Sequence, residues 1–538
     1  MAQMRAQGEK FTYAELGLDQ PARPDLAMEA LEVAAARLKA LEKAVVATPY
    51  QDLEGPGPDR RRVSWREPHL NGVTHQVLDW TVAGTVADQL QPSLAELHTA
   101  LRVPTTDPGW NYAELASSGR IPNFVSHRVV AQSLHALIMV ELRRNDLAAA
   151  QRDLLTLIRL GRLNIEGWTL VIQMIRTALL GLTCDAVWNA LQAPGWTEDQ
   201  LSELQQELER VIVVPQLPRT FEAERVGNLA EFDRYLREGP SSRAWLWQFT
   251  TTKRPPAWLE QPAFLVWRRA RSGKDRLLLL QFQQQVIERH RRLAAGVPFR
   301  ELGPYPQWTP SWWNRSAEAQ ALFPLSAPPN FVRATATVVR NDTERLLAIA
   351  ALALERYRLR HGQYPGALGD LEPEILTAVP QDAISGKPLQ YRLLPDGRSL
   401  LYSVGFNGRD DSGDARPDPT ATEGLYPHVG RDLVWRRPMA PGDEPAGQAL
   451  PKSDPQPAPV LPLVEFRDAA LRDAIVTLAR HAEINLIFEP AVLGSLKQRL
   501  SLRLEDVTAR EALEIVVGKH GLRLQEDPTT RITRIRRQ

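Results

Sequence analysis

Few side chains in this 538-residue sequence stand at spacings that chemistry requires. Gly273-Lys274 and Gly386-Lys387 lack the upstream glycine and the following Ser or Thr of a phosphate-cradling loop. Tyr402-Ser403-Val404-Gly405 has a serine in the middle of a nucleophile-elbow pattern, but Leu401 stands where the first glycine belongs. The ten histidines are scattered, with no His-Glu-x-x-His helix, and His135 and His290 read as surface or satisfied core groups on helices. Asp410-Asp411 and Glu505-Asp506 are adjacent carboxylates of the kind any acidic turn carries. No general acid and base pair emerges, so the sequence reads as that of a non-enzyme. A deep polar pocket with convergent carboxylates or histidines in the helical region would reverse that expectation.

Composition narrows the partners. With 65 basic and 64 acidic residues the formal charge is +1, which argues against a nucleic-acid binder, since phosphate backbones select a basic excess. The single cysteine, Cys184, excludes a disulfide framework and a thiolate metal cluster. No run reaches the length of a membrane span; the best, Trp168 to Leu182, is interrupted by Gln173 and Arg176. The first ten residues lack an export signal, so the expectation is either a cytoplasmic protein or a leader or anchor upstream of Met1.

The length allows three or four domains at about 150 residues each. Residues 1–325 read as mainly α-helical. Leu31, Ala34, Leu38, Leu41 and Val45 form one apolar stripe, and Leu134, Leu137 and Ile138 form a second. Arg144-Asn145-Asp146 breaks the pattern before Leu147, Leu154 and Ile158 resume it, which predicts a helical hairpin. No 34-residue recurrence supports a repeat array. Thr197-Glu198-Asp199-Gln200 and Thr508-Ala509-Arg510-Glu511 match capping boxes. Between 238 and 329, Trp245, Trp247, Trp258, Trp267, Trp308, Trp312 and Trp313 mix with prolines, read as irregular structure around one helix near 272–295, with an aromatic-lined groove as the alternative. A helix near 334–360 ends at His361-Gly362. Residues 438–460 are Pro-rich and read as a linker. Residues 461–538 alternate strands and helices, with Asp468 as a helix cap; the basic tail of Arg531, Arg534, Arg536 and Arg537 reads as a charged end that keeps a terminal strand soluble.

Two segments resemble known families. Phe466-Arg467-Asp468-Ala469, Ile484 to Phe488, and Glu511-Ala512-Leu513 stand in the order of the secretin and TonB short N-terminal domain, a periplasmic module of protein contacts with no catalytic residue. Tyr357 to Pro365, Val379-Pro380-Gln381-Asp382, Gly386 to Tyr391, Leu401 to Gly408 and Asp432-Leu433-Val434-Trp435 resemble the globular half of type II secretion major pseudopilins, without their prepilin cleavage site or stem helix. That second resemblance implies a calcium loop, here holding Asn407, Asp410, Asp411, Asp414 and Asp432, although a Pro- and Thr-rich insertion separates Asp414 from Asp432. The plain alternative is a solvated acidic turn.

The expectation is therefore multidomain: a mainly α-helical N-terminal region (1–325), a pseudopilin-like α+β domain (330–437), a linker, and a second small α+β domain (461–538). The resemblances imply a non-enzymatic bacterial cell-envelope protein in the periplasm, bound to a secretion-system or outer-membrane component. The alternative is a cytoplasmic helical scaffold that reuses these folds.

Overall fold

The computed structural model describes residues 2–20, 26–44, 80–102, 110–114, 125–163, 169–239, 257–270, 272–303, 331–395, 397, 399–415, 431–435, 460–481, 485–488, 492, 498–526 and 532–537. The protein is mostly helical. It divides into two compact units, Met1–Met439 and Ala440–Gln538. Apart from Val460, the expected linker at 438–460 lies outside the described residues.

The first unit contains α1 (Ala2–Ala6), α2 (Tyr13–Leu16), α3 (Leu26–Ala44), α4 (Trp80–Leu90), a 3-10 turn (Gln91–Leu94), α5 (Ala95–Ala100), α6 (Val125–Arg143), α7 (Leu147–Leu160), α8 (Leu170–Ala190), α9 (Glu198–Glu209), α10 (Leu217–Glu238), α11 (Ala257–Ala270), α12 (Ser272–Ala294) and α13 (Phe331–His361). The apolar stripes become buried faces where they are described: Leu31, Ala34 and Leu38 of α3, and Leu134, Leu137 and Ile138 of α6, are inside, while Val45 and the side chain of Leu41 lie outside the described residues. Asn145 takes a left-handed conformation (φ +59°) between α6 and α7. Asp146 then caps α7, its Oδ1 accepting from the Ala149 amide at 3.0 Å.

α8 is long and apolar enough to cross a membrane by length and composition, yet 67% of its most apolar window is buried within the protein. It packs against α6, α7 and α13. The two polar interruptions seen in its sequence are part of that packing. Arg176 donates to Gln173 Oε1 (2.7 Å), to the Gly161 carbonyl (3.1 Å) and to the Ile212 carbonyl (2.9 Å). Those carbonyls lie at or just past the C-termini of α7 and α9, where helix dipoles are negative. Burial still lowers the Arg176 pKa to about 10.

The N-terminal segment is fastened onto α10 and α12. Glu9 accepts from Arg225 (2.9 Å), Arg291 (2.6 Å) and Gln284 (2.9 Å), and the Arg225 guanidinium lies 4.6 Å from the centre of the Phe11 ring. Burial alone would raise the Glu9 pKa, but these donors outweigh it and hold the carboxyl at about 2.

Where one helix was expected between 238 and 329, the described residues of that stretch include two, α11 and α12. The prolines misled the reading: Pro262 sits inside α11 and removes one intrahelical bond without ending the helix. Trp267 is 1% exposed and packs with Phe232, Tyr235 and Phe264, so it belongs to a core. Trp245, Trp247, Trp308, Trp312 and Trp313 lie outside the described residues, as does the side chain of Trp258.

α13 ends at Gly362 (φ +76°), whose amide donates to the Arg358 carbonyl at 2.8 Å. Beyond it β1 (Gln390–Leu393), β2 (Ser399–Ser403) and β3 (Leu433–Trp435) form an antiparallel sheet in that order, with Tyr391 opposite Leu401 and Leu401 opposite Trp435. α13 packs on β2 and β3. One hydrophobic core runs from Ala27 to Leu401 and is continuous across position 330.

The second unit contains β4 (Val460–Ala470), α14 (Leu471–His481), β5 (Asn485–Phe488), β6 (Arg499–Thr508), α15 (Ala509–Lys519), β7 (Leu522–Glu526) and β8 (Ile532–Arg537). β4 pairs antiparallel with β6, while β5, β8 and β7 form a second sheet in that order. Leu471, Ile475 and Leu478 of α14 meet Leu513, Val516 and Val517 of α15 in its core. The capping box at Thr508 is complete: Thr508 Oγ1 accepts from the Glu511 amide (3.2 Å), and the Thr508 amide donates to Glu511 Oε2 (2.8 Å). Asp468 does not stand at the N-cap position of α14, which begins at Leu471. β4 continues to Ala470, with an irregular register between Phe466 and Ala469, which places Asp468 inside the strand. Arg534, Arg536 and Arg537 fall in β8, and Arg531 lies outside the described residues.

Candidate functional site

The acidic loop follows β2. Gly405 turns the chain at φ +62°, and a side chain there would meet the Arg431 carbonyl oxygen at 2.5 Å, so glycine permits the close approach of the two loop arms. The turn brings Asn407, Asp410, Asp411, Asp414 and Asp432 into one network. Asn407 Nδ2 donates to Asp411 Oδ2 (2.7 Å), and Asp410 Oδ1 accepts from the Tyr402 hydroxyl (2.9 Å) and the Ser412 amide (2.9 Å). Asp414 Oδ2 accepts from Arg431 (2.8 Å). Asp432 Oδ1 and Oδ2 accept from the amides of Asp411 (3.3 Å) and Gly413 (2.7 Å).

Burial raises the Asp432 pKa; the two amides oppose the rise, and the charges of Asp411 and Asp410 add to it. Burial, with Asp410 as neighbour, also raises the Tyr402 pKa, to about 12. All five residues thus have a side-chain oxygen facing a donor of the loop arms, Asn407 Oδ1 accepting from the Arg409 amide at 3.0 Å and Asp411 from Asn407. Among the described residues no three His, Cys, Asp or Glu side chains converge as a metal site. Among the described residues, the side-chain oxygens of the loop are arranged as in a self-satisfied turn. Millimolar calcium is accordingly expected to move the unfolding temperature by less than about 1 °C, because a ligand stabilises only when it binds the folded state. A rise of several degrees, reversed by chelator, would show that the loop rearranges around the ion.

Beneath this loop lies a group with no separate signal in the sequence. Asp382, 1% exposed, accepts from the hydroxyls of Thr343 (2.7 Å), Ser385 (2.9 Å) and Ser403 (2.6 Å) and from the amides of Ile384 (2.8 Å) and Ser385 (3.3 Å). It joins α13, the 380–388 turn and β2. Ser403, the serine of the failed elbow pattern, is therefore a structural donor.

A second cluster sits where α5, α6, α7 and the 3-10 turn meet. Gln91 Nε2 donates to Glu141 Oε1 (2.6 Å) and Asp153 Oδ2 (2.9 Å), and the Arg152 guanidinium lies 3.0 Å from Asp153 and 3.4 Å from Glu141. His98 Nε2 stands 3.2 Å from Asp153 Oδ1, with Nδ1 2.9 Å from the Thr156 hydroxyl. Burial, then the charge of Asp153, raise the Glu141 pKa strongly. Burial lowers the His98 pKa, partly offset by Asp153.

Here, then, are two carboxyls and a histidine in the helical region. Yet Asp153 is 0% exposed and Glu141 5%, so substrate has no direct access to either carboxyl. The cluster closes the packing of four elements. Local spacing could not reveal it, because Gln91, Glu141 and Asp153 come from three separate elements.

The two histidines singled out in the sequence are satisfied. His135 Nε2 bonds Asp185 (2.8 Å), and His290 bonds the Val286 carbonyl (2.7 Å) and the Thr335 hydroxyl (2.9 Å) while stacking on Phe221 at 3.9 Å. Burial lowers the His290 pKa to about 3. Comparison of the chain with protein-family models, with curated proteins and with solved structures finds no match.

Proposed function

We propose that this chain is a non-enzymatic bacterial cell-envelope protein whose C-terminal unit docks onto a secretion-system or outer-membrane transport component. The observation that carries the reading is the makeup of residues 460–537: two helices with a shared core, laid against short β-ribbons whose outer strands are β5 and β7. We read this unit, and the α13 to β3 segment before it, as the two small α+β folds that resemble a secretin-type short N-terminal domain and a pseudopilin globular half. Both resembled families work through protein contact. Among the described residues β7 pairs on one side only, with β8, so its other edge offers backbone groups to an added strand. The rival reading, a cytoplasmic helical scaffold, rests on the size of the helical region.

The test is a photo-crosslinking residue placed at Gln525, exposed on β7, in living cells. The expected result is a discrete adduct with an envelope component, lost when Arg523→Pro removes a strand donor. Adducts confined to cytosolic proteins, or none at all, would overturn the reading.

A further inference from the structure

The hairpin of α11 and α12 carries a surface that the packing of the unit does not explain. Phe264 and Trp267 of α11 face inward onto Phe232 and Tyr235, and Trp267 Nε1 donates to Asp275 Oδ2 (2.6 Å), which locks the turn into α12. The opposite face of α11 presents Leu265 at 52% and Val266 at 64% exposure, one turn before the exposed Arg268 and Arg269. At helical spacing Leu265 neighbours both arginines, and Val266 neighbours Arg269. On α12, Lys274 and Leu277, three apart, repeat the pairing of a cation with an exposed aliphatic residue. Between positions 253 and 274 the sequence has six basic residues and one acidic, in a chain whose net charge is +1.

Aliphatic side chains flanked by cations match the interfacial region of an anionic bilayer: the hydrocarbon enters the headgroup boundary and the cations meet lipid phosphates. We propose that the α11–α12 hairpin docks this protein peripherally onto an anionic lipid surface, with Leu265 and Val266 inserted and Arg268 and Arg269 on the phosphates. The inference is independent of the partner assigned to the C-terminal unit.

The test is co-sedimentation of the full chain with vesicles of phosphatidylcholine alone and of phosphatidylcholine mixed equally with phosphatidylglycerol. The chain is expected to sediment with the anionic vesicles, not the neutral ones, and to be released at about 1 M salt, where the Debye length is about 3 Å. Arg268→Gln with Arg269→Gln is expected to weaken partitioning about 25-fold, at roughly fivefold per cation. Leu265→Ser with Val266→Ser is expected to weaken it at least about tenfold. These positions are exposed, so both variants are expected to match the wild type in circular dichroism and unfolding temperature. Failure of the wild type to bind anionic vesicles, as for a surface made for a protein, overturns the proposal. So does equal binding to neutral vesicles, or full binding by either variant.

Discussion

Replacing Asp382 with alanine is expected to destabilise the first unit by about 3–5 kcal/mol, the range for stripping one partner from a buried charged network. The carboxylate gathers three hydroxyls and two amides from α13, the 380–388 turn and β2. Alanine would leave all five donors in a site that water does not reach, at about 1–3 kcal/mol for each one left unsatisfied. Relaxation of the turn would recover part of that loss. Asp382→Asn, which keeps the shape and one acceptor, is expected to cost about half as much. Urea unfolding of the two variants measures both values, and amide exchange at Ile384 and Ser385 should accelerate in the alanine variant. A loss under about 1 kcal/mol would mean that the donors find other partners.

The second large effect is a dependence on pH. Burial and Asp153 raise the Glu141 pKa above the unfolded value of 4.5, which favours the protonated carboxyl in the fold. A carboxyl raised by folding gives its full contribution below the unfolded pKa. That contribution then declines as pH climbs toward the folded pKa, by up to about 1.4 kcal/mol per pH unit. Stability from this group should therefore fall between about pH 5 and pH 8, the reverse of a salt-bridged carboxylate.

Glu141→Gln keeps a donor for Asp153 and has nothing to titrate. Subtracting the wild-type pH profile from that of the variant cancels the other ionisable groups, and the difference should grow with pH to at least about 1 kcal/mol at pH 8. Parallel profiles would show that Glu141 is ionised in the fold. Because Glu141 and Asp153 interact directly, the pair is expected to titrate as one unit.

The helical part of this molecule was legible because it is written in local periodicity. The faces of α3, α6 and α7, the break at Asn145, and the caps at Thr197 and Thr508 all depend on neighbours within four residues. α11 was hidden by Pro262, whose missing amide costs one bond that the packing of Phe264 and Trp267 offsets. The end of β4 was misplaced because Asp468 has the right chemistry for a cap, yet pairing with β6 carries the strand to Ala470. In the acidic loop the sequence identified which oxygens would gather but not where they would point. That depends on Gly405 drawing Arg431 close and on the amides of Asp411 and Gly413 reaching Asp432. The Glu141 cluster and the reach of Asp382 to Thr343 and Ser403 were illegible for the same reason: Gln91 stands 50 residues from Glu141, and Thr343 and Ser403 stand 39 and 21 from Asp382, so only the tertiary fold joins them.

Protease shaving of intact spheroplasts, followed by blotting for this protein, tests its assignment to the envelope most directly. The chain should be cleaved from outside while a cytosolic enzyme in the same cells stays whole. Survival of the chain until the spheroplasts are lysed would place it in the cytoplasm and contradict the envelope reading.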